Sequence, residues 1–162
     1  MRRVVVRRLA LCAVVLVWLV GAGHAADVAP VKPKPTDKCP VCGMFVAKYP
    51  DVVAEVVYRD GGYAVFDGAK DMFKFLFNLR SHAPSRTASD IAAIYVTDYY
   101  SLSPVDGRRA WYVLGSDVHG PMGRELIPFE AEKEAREFMT DHKGQRLLRF
   151  GEVTPELVKG LD

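Results

Sequence analysis

Hydrophobic residues recur with strand-like and helix-like spacing in the first half of the folded chain. Two β-branched or aromatic runs, Val52–Tyr58 and Tyr63–Phe66, flank a glycine-containing turn, which predicts a β-hairpin. Asp67 is positioned to cap a helix that continues to about Leu79. After a polar stretch, Ile91–Thr97 again has the composition of a strand. The order predicted for this half is strand, strand, helix, strand.

The second half shows the same order of patterns. The predicted segments are a strand at Ala110–Leu114, a glycine-rich loop at Gly115–Gly123, a strand at Leu126–Phe129, a helix at Glu130–His142 and a strand at Arg146–Phe150. Acidic residues in the first turn of this helix and Gly144 after its last turn are typical signals of helix ends. A short terminal helix is predicted to begin at Thr154-Pro155.

Individual residues repeat along with the elements. The pattern Phe-Asp, Lys-Asp and Phe at positions 66–67, 70–71 and 75 reappears, with Glu for Asp, at positions 129–130, 133–134 and 138, an offset of 63 residues. Neighbouring repeats can share one core where each alone is too small to fold. The sequence therefore predicts an α+β domain over residues 39–162, built from two ββαβ units at about residues 39–99 and 109–151.

The first 25 residues have the features of a secretory signal. Four arginines precede the apolar run Leu9–Ala22, and Gly23-His24-Ala25 then offers small residues for a signal peptidase. The run is shorter than the ~20 residues of a membrane helix, so cleavage after Ala25 is predicted and membrane contact is expected only if the segment is retained. Leu11 is too large to complete a lipobox at Cys12. Residues 26–38 are proline-rich and predict an extended tether.

Removal of this signal changes the charge balance. The whole chain has 22 Lys and Arg residues against 20 Asp and Glu, and the loss of four arginines leaves 18 against 20. A slightly acidic protein lacks the basic surface that a polyanion requires, so nucleic acid is not expected as a partner. The exported chain is expected to be periplasmic and to form one compact domain.

Three sulfur-containing side chains lie within six residues just after the tether. Cys39, Cys42 and Met44 offer thiolate and thioether donors, a combination that favours Cu(I), whereas zinc usually takes thiolate, imidazole or carboxylate ligands. Met122 lies between proline and glycine in the predicted loop of the second hairpin, where a stiff turn can present its thioether. His119, three residues earlier, is a weaker candidate, since histidines in loops are usually just solvated.

Other interpretations of the C-x-x-C spacing stay open. A thiol–disulfide oxidoreductase would place Cys39 after a strand, at a helix N-terminus that lowers its pKa, but the proline-rich tether precedes it. A structural zinc site would need a second pair of thiols or histidines. A docking protein in an oxidising compartment would have the two cysteines bridged. A soft-metal site needs only two to four ligands and fits the sequence best.

These motifs resemble the NosL family of accessory proteins. The matching stretches, in family order, are Cys42-Gly43-Met44, FDGAKDMF from Phe66, IYVTD from Ile94, AWYVLGS from Ala110, GPMG from Gly120 and IPF from Ile127. The resemblance implies a duplicated ββαβ fold similar to that of an organomercurial lyase, in a periplasmic or membrane-anchored Cu(I)-binding protein. It implies Cys42 and Met122 as the leading copper ligands and Met44 as a further candidate. Cys39 is an additional cysteine that completes the site or forms a disulfide with Cys42.

The predicted function is a periplasmic copper chaperone that passes Cu(I) to an apo-metalloenzyme. The resemblance implies nitrous oxide reductase as that client. An enzyme is not expected, because the chain has no G-x-S-x-G, H-E-x-x-H or phosphate-loop motif. The alternative function is a periplasmic thiol–disulfide oxidoreductase that uses Cys39 and Cys42.

Overall fold

The computed structural model describes residues 28–162, so the predicted signal and its cleavage site lie outside the described residues. The strands are β1 (Ala54–Tyr58), β2 (Tyr63–Phe66), β3 (Ile91–Thr97), β4 (Pro104–Asp106), β5 (Trp111–Gly120), β6 (Gly123–Phe129) and β7 (Arg146–Arg149). The helices are α1 (Ala69–Phe77), α2 (Leu79–His82), α3 (Glu132–Asp141) and α4 (Pro155–Lys159). In this part of the chain, no helix is both long and apolar enough to cross a membrane.

The strands form two antiparallel sheets. The first has the order β2-β1-β3-β4 and the second the order β6-β5-β7. In both, the first strand of the unit is central, the second strand pairs on one side, and the strand that follows the helix pairs on the other. The predicted α+β class is confirmed, and the shared strand order is compatible with a duplicated ββαβ unit.

Helix α1 lies in a core that both units share. This core includes Phe73 of α1, Val56 of β1, Tyr112 of β5 and Leu126 of β6. Successive side chains of β5 point to opposite faces of the sheet. Tyr112 points into the shared core, while Val113 joins a smaller cluster with Phe138 of α3. The second sheet therefore separates α1 from α3, and α1 is covered by elements of both units.

The hairpin of the second unit is longer than the sequence predicts. The glycine-rich loop expected at Gly115–Gly123 is wrong, because β5 continues to Gly120 and β6 begins at Gly123. Gly115 has a φ of +81° and lies where the pairing register shifts, as at a β-bulge. The strands pair again at His119↔Arg124 and Gly120↔Gly123, so Pro121 and Met122 form the tip of the hairpin.

The start and end of α1 also differ from the prediction. Gly68, not Asp67, is the N-cap residue and makes no side-chain cap hydrogen bond. The Glu125 carboxylate of β6 accepts instead from the free backbone N–H of Lys70, at 2.6 Å. A Cβ atom at position 68 would overlap this carboxylate, so glycine is required there by close approach. The helix ends at Phe77, and the short α2 follows it.

The proline-rich segment is extended but not separate from the first sheet. Val31 N donates to Glu55 Oε2 of β1 at 2.6 Å, Tyr63 Oη donates to Asp37 Oδ2 at 2.9 Å, and the Tyr95 hydroxyl donates to the Val28 carbonyl. A buried carboxyl such as Glu55 needs hydrogen-bond partners, and the segment supplies one. Residues 28–37 thus form a strap across this sheet.

Candidate metal centre

The loop that carries the cysteines is folded back on itself. Cys39 N donates to the Met44 carbonyl at 2.8 Å, and Gly43 N donates to the Cys39 carbonyl at 2.9 Å. Gly43 has a φ of +79°, a left-handed conformation that glycine adopts at little cost. This turn directs both thiols to one side of the loop, with Cys39 buried and Cys42 half-buried.

Two aspartates of the first unit face these thiols. Asp67 directly follows β2, and Asp71 lies in the first turn of α1. The Cys42 thiol donates to Asp67 Oδ1 at 3.2 Å, and the Cys39 thiol donates to Asp71 Oδ2 at 3.3 Å. One ligand atom from each of these four residues lies within 4.8 Å of the other three, a grouping compact enough to hold one metal ion.

The cluster is buried and incompletely satisfied. Asp67 and Asp71 are 2% and 4% exposed. Asp67 Oδ2 has no hydrogen-bond partner among residues 28–162, although a buried carboxylate oxygen normally has one. An unpaired buried oxygen costs free energy, and this one lies beside two potential metal ligands.

Burial also controls the protonation of the thiols. Desolvation raises the pKa of Cys42 to about 11, with the Asp67 hydrogen bond adding to the effect. The pKa of the Cys39 thiol is raised further by its deeper burial. Both cysteines are therefore thiols at neutral pH in the metal-free protein. A metal ion that binds them must displace their protons.

The tip of the second hairpin is anchored to the same helical turn. The Lys70 ammonium is buried and donates to the Met122 carbonyl at 2.9 Å. Lys70 lies 3.8 Å from Asp162 at the C-terminus, and its backbone N–H is capped by Glu125. Burial raises the pKa of Glu125 to about 7, despite its backbone hydrogen bonds and the nearby lysine.

The structure brings some of the predicted ligands together and leaves others apart. Cys39 and Cys42 share the cluster, and Met44 ends the same loop as a half-buried side chain. Met122 is 47% exposed at the hairpin tip, which contacts α1 through Lys70. His119 is exposed on β5 opposite Arg124 and does not belong to the cluster.

Asp67 and Asp71 are the residues that the sequence did not identify. Their spacing at a helix start was a usable signal, but Glu130 and Glu134 have the same spacing in the second unit. Only contact with the cysteine loop distinguishes the aspartate pair from the glutamate pair.

Comparison with known proteins agrees with this architecture. Residues 30–158 match the sequence profile of the NosL family. The chain is 30% identical to a protein of Stutzerimonas stutzeri named copper-binding lipoprotein NosL, over 92% of this chain and 81% of that protein. It is also similar to the crystal structure of the copper chaperone NosL from Shewanella denitrificans, with a TM-score of 0.66, 28% identity, and coverage of 79% of this chain and 97% of that one.

Proposed function

The chain belongs to the NosL family, and from this premise we propose that it is an exported copper chaperone that binds Cu(I) and delivers it to an apo-metalloenzyme. The observation that carries the proposal is a convergence on one helical turn. The loop with Cys42 is bonded to Asp67, and the hairpin tip with Met122 is bonded to Lys70, three residues later. Two sulfur-bearing segments distant in sequence therefore meet at the start of α1.

The proposed copper ligands are Cys42, Met122 and Met44, with Cys39 as a fourth. One thiolate with neutral thioethers is a soft donor set of low charge, which suits Cu(I). Cys42 and Met44 are half-buried and Met122 is largely exposed. Ligands at a surface can exchange one at a time with those of another protein, which is what metal delivery requires.

The client we propose is nitrous oxide reductase, the enzyme that the resemblance implies. We further propose that the protein acts in the periplasm after cleavage at Ala25. The Stutzerimonas relative is a lipoprotein by name, whereas the residues before Cys12 do not form a lipobox. The mode of membrane association thus differs between the two in this proposal.

The thiol–disulfide oxidoreductase is the weaker candidate. Such an enzyme needs a thiolate of lowered pKa, usually at the N-terminus of a helix. Here the pKa of both thiols is raised by burial next to carboxyl groups, and the loop turns back after Gly43 instead of starting a helix. These features disfavour nucleophilic attack and favour metal binding.

Anaerobic titration with a competing Cu(I) chelator tests the proposal. A lost ligand should cost at least as much as a lost outer-shell partner, about 10–100-fold. Cys42→Ser should therefore weaken Cu(I) binding by more than about a hundredfold, and Met122→Leu, which keeps the apolar volume, by about tenfold. Cys39→Ser reports whether the second thiol is a ligand.

The same reduced samples should be inactive in an insulin-reduction assay. If Cys42→Ser and Met122→Leu both bind Cu(I) like the wild type, the proposed site is wrong. Insulin reduction that depends on Cys39 and Cys42 would support the oxidoreductase instead.

A further inference from the structure

A cavity of about 490 Å³ lies under the strap, at one end of the first sheet. Its volume is within the range of about 300–1,000 Å³ that small-molecule sites occupy. Three prolines of the strap, Val53 before β1, and Leu102 and Pro104 beside β4 form most of its lining. None of the four proposed copper ligands is among the lining residues. The cavity is thus mainly apolar and separate from the candidate metal centre.

Glu55 is the buried charged group of this cavity. Neighbouring side chains of a strand point to opposite faces, so Val56 lies in the shared core and Glu55 lies under the strap. Glu55 is 5% exposed, and burial raises the pKa of its carboxyl above the usual range. Lys32, the other charged lining residue, is exposed and forms no ion pair with Glu55. The cavity therefore contains a carboxyl group without a counterion.

The hydrogen bonds of Glu55 leave half of this carboxyl unpaired. Its Oε2 accepts from the Val31 N–H at 2.6 Å, while its Oε1 has no hydrogen-bond partner in residues 28–162. Thr97 also lines the cavity, and its hydroxyl donates to the Val53 carbonyl at 2.8 Å. A hydroxyl oxygen that donates in this way still has lone pairs for a further donor. Two polar groups of the cavity can thus accept hydrogen bonds from a bound molecule.

Leu102 is held beside the cavity in an uncommon conformation. Its φ is +53° and it is 55% exposed, a costly backbone geometry for a residue other than glycine. The buried Asp98 fixes this turn, because its side chain accepts from Tyr100 N and Ser101 N and its carbonyl accepts from Leu102 N. An exposed leucine held by such a turn gains little from packing within the protein, whereas a molecule in the cavity would cover it.

We propose that this cavity binds a small apolar molecule that carries one ammonium group, with the Glu55 carboxylate as the counterion. The inference goes beyond the proposed function, since copper and its ligands take no part in it. The apolar lining would bury the hydrocarbon part of the molecule. The ammonium group would donate to Glu55 Oε1 and Thr97 Oγ1, and hydrogen bonds of charged groups are stronger than neutral ones.

The same groups select against other ligands. A carboxylate of the same size would place a second negative charge beside Glu55, and a neutral hydrocarbon would leave the carboxyl without a counterion. The strap covers the cavity through the Val31–Glu55 hydrogen bond. Binding should therefore change the environment of Val31 as well as that of Thr97.

The test uses the metal-free, reduced exported chain and n-octylamine as the probe, followed by amide chemical shifts in NMR spectra. Saturable shifts are expected at Val31, Val53 and Thr97. Sodium octanoate, with the same chain length and the opposite charge, should bind at least about tenfold more weakly, and Glu55→Gln should weaken octylamine binding by about tenfold or more. Glu137→Gln, an exposed acid of α3, should leave the affinity unchanged.

A second variant keeps the test decisive if Glu55→Gln does not fold. Ala47 is exposed and lines the cavity, so Ala47→Trp should fill the space, block octylamine and leave Cu(I) binding unchanged. No saturable shift at millimolar octylamine, octanoate binding of equal strength, or wild-type affinity in Ala47→Trp would each overturn this inference while the copper chaperone stands. Loss of Cu(I) binding in the wild type would overturn only the chaperone.

Discussion

Helices α1 and α3 begin with nearly the same residues but lie in different surroundings. Phe66 and Phe75 in the first unit are as fully buried as Phe129 and Phe138 in the second. The polar residues between them differ: Asp67, Lys70 and Asp71 are buried at the start of α1. Their counterparts Glu130 and Lys133 are exposed, and Glu134 is half-buried. The apolar pattern thus specifies the same packing twice, while the polar pattern acquires a site only once.

The unequal lengths of the two hairpins explain this difference. The first hairpin runs from Ala54 to its partner Phe66, and the second from Trp111 to its partner Phe129, six residues longer. The added length carries Met122 and Glu125 onto the first turn of α1. Within residues 28–162, the shorter first hairpin makes no equivalent contact with the start of α3. The longer hairpin therefore accounts for the burial of Lys70, while the cysteine loop covers Asp67 and Asp71.

A large effect is expected from removing the buried lysine. Lys70→Met keeps most of the side-chain volume but removes the ammonium that donates to the Met122 carbonyl and lies near Asp162. A hydrogen bond made by a charged group contributes about 1.5–3 kcal/mol. The free energy of unfolding from urea denaturation should fall by about this amount. The Lys133 side chain is 85% exposed, so Lys133→Met should change the free energy of unfolding by at most about 0.5 kcal/mol. Similar losses for the two variants would contradict the comparison between α1 and α3.

Glu125 should make stability depend on pH in a direction opposite to that of an ordinary surface acid. Burial raises its pKa from 4.5 to about 7 in the folded protein, so between these values the folded state holds a proton that the unfolded chain has lost. This contribution to stability is fully present below the pKa that Glu125 has in the unfolded chain. It is lost as the pH rises through the pKa that Glu125 has in the folded protein. From pH ~5 to ~8 the loss should be on the order of 3 kcal/mol.

Glu125→Gln removes the titrating group and serves as the reference for that prediction. Urea denaturation of both proteins across this pH range should show a smaller decline in the variant, which retains only Glu55, whose pKa burial also raises. An equal decline in the variant would show that other groups cause the pH dependence. In the first unit, the position 63 residues earlier is Gly62, which has no titratable side chain.

The smallest effect concerns the two helix caps. Gly68→Ala would push its Cβ into the Glu125 carboxylate, and overpacking of this kind costs about 1–3 kcal/mol. The equivalent N-cap of α3 is Ala131, which makes no side-chain cap hydrogen bond, so Ala131→Gly should be nearly neutral. Thermal denaturation of the two variants measures the contrast. Equal tolerance of both changes would show that Glu125 moves aside readily.

Most of the fold could be predicted because its signals are local. Strands β1, β2 and β3 and helix α3 lie within a few residues of their predicted bounds, since alternation and helical periodicity act over neighbouring positions. Strand β4 was not predicted, because a three-residue edge strand that begins with Pro104 has no pattern to read. The long hairpin was not predicted either, because Gly115 and Gly120 look like loop residues until a sheet pairs them.

The sequence by itself determined the repeated strand–strand–helix–strand order, the apolar residues that fill the core, and the sulfur side chains available for a soft metal. These depend on residue type and on spacing along the chain. Only the tertiary structure decided that Asp67 and Asp71 face the thiols while Glu130 is exposed and Glu134 half-buried, and that Glu125 caps α1 from another sheet. The physical reason is that burial, pKa and ligand geometry arise from contacts between segments far apart in sequence, so identical local patterns can acquire different chemistry.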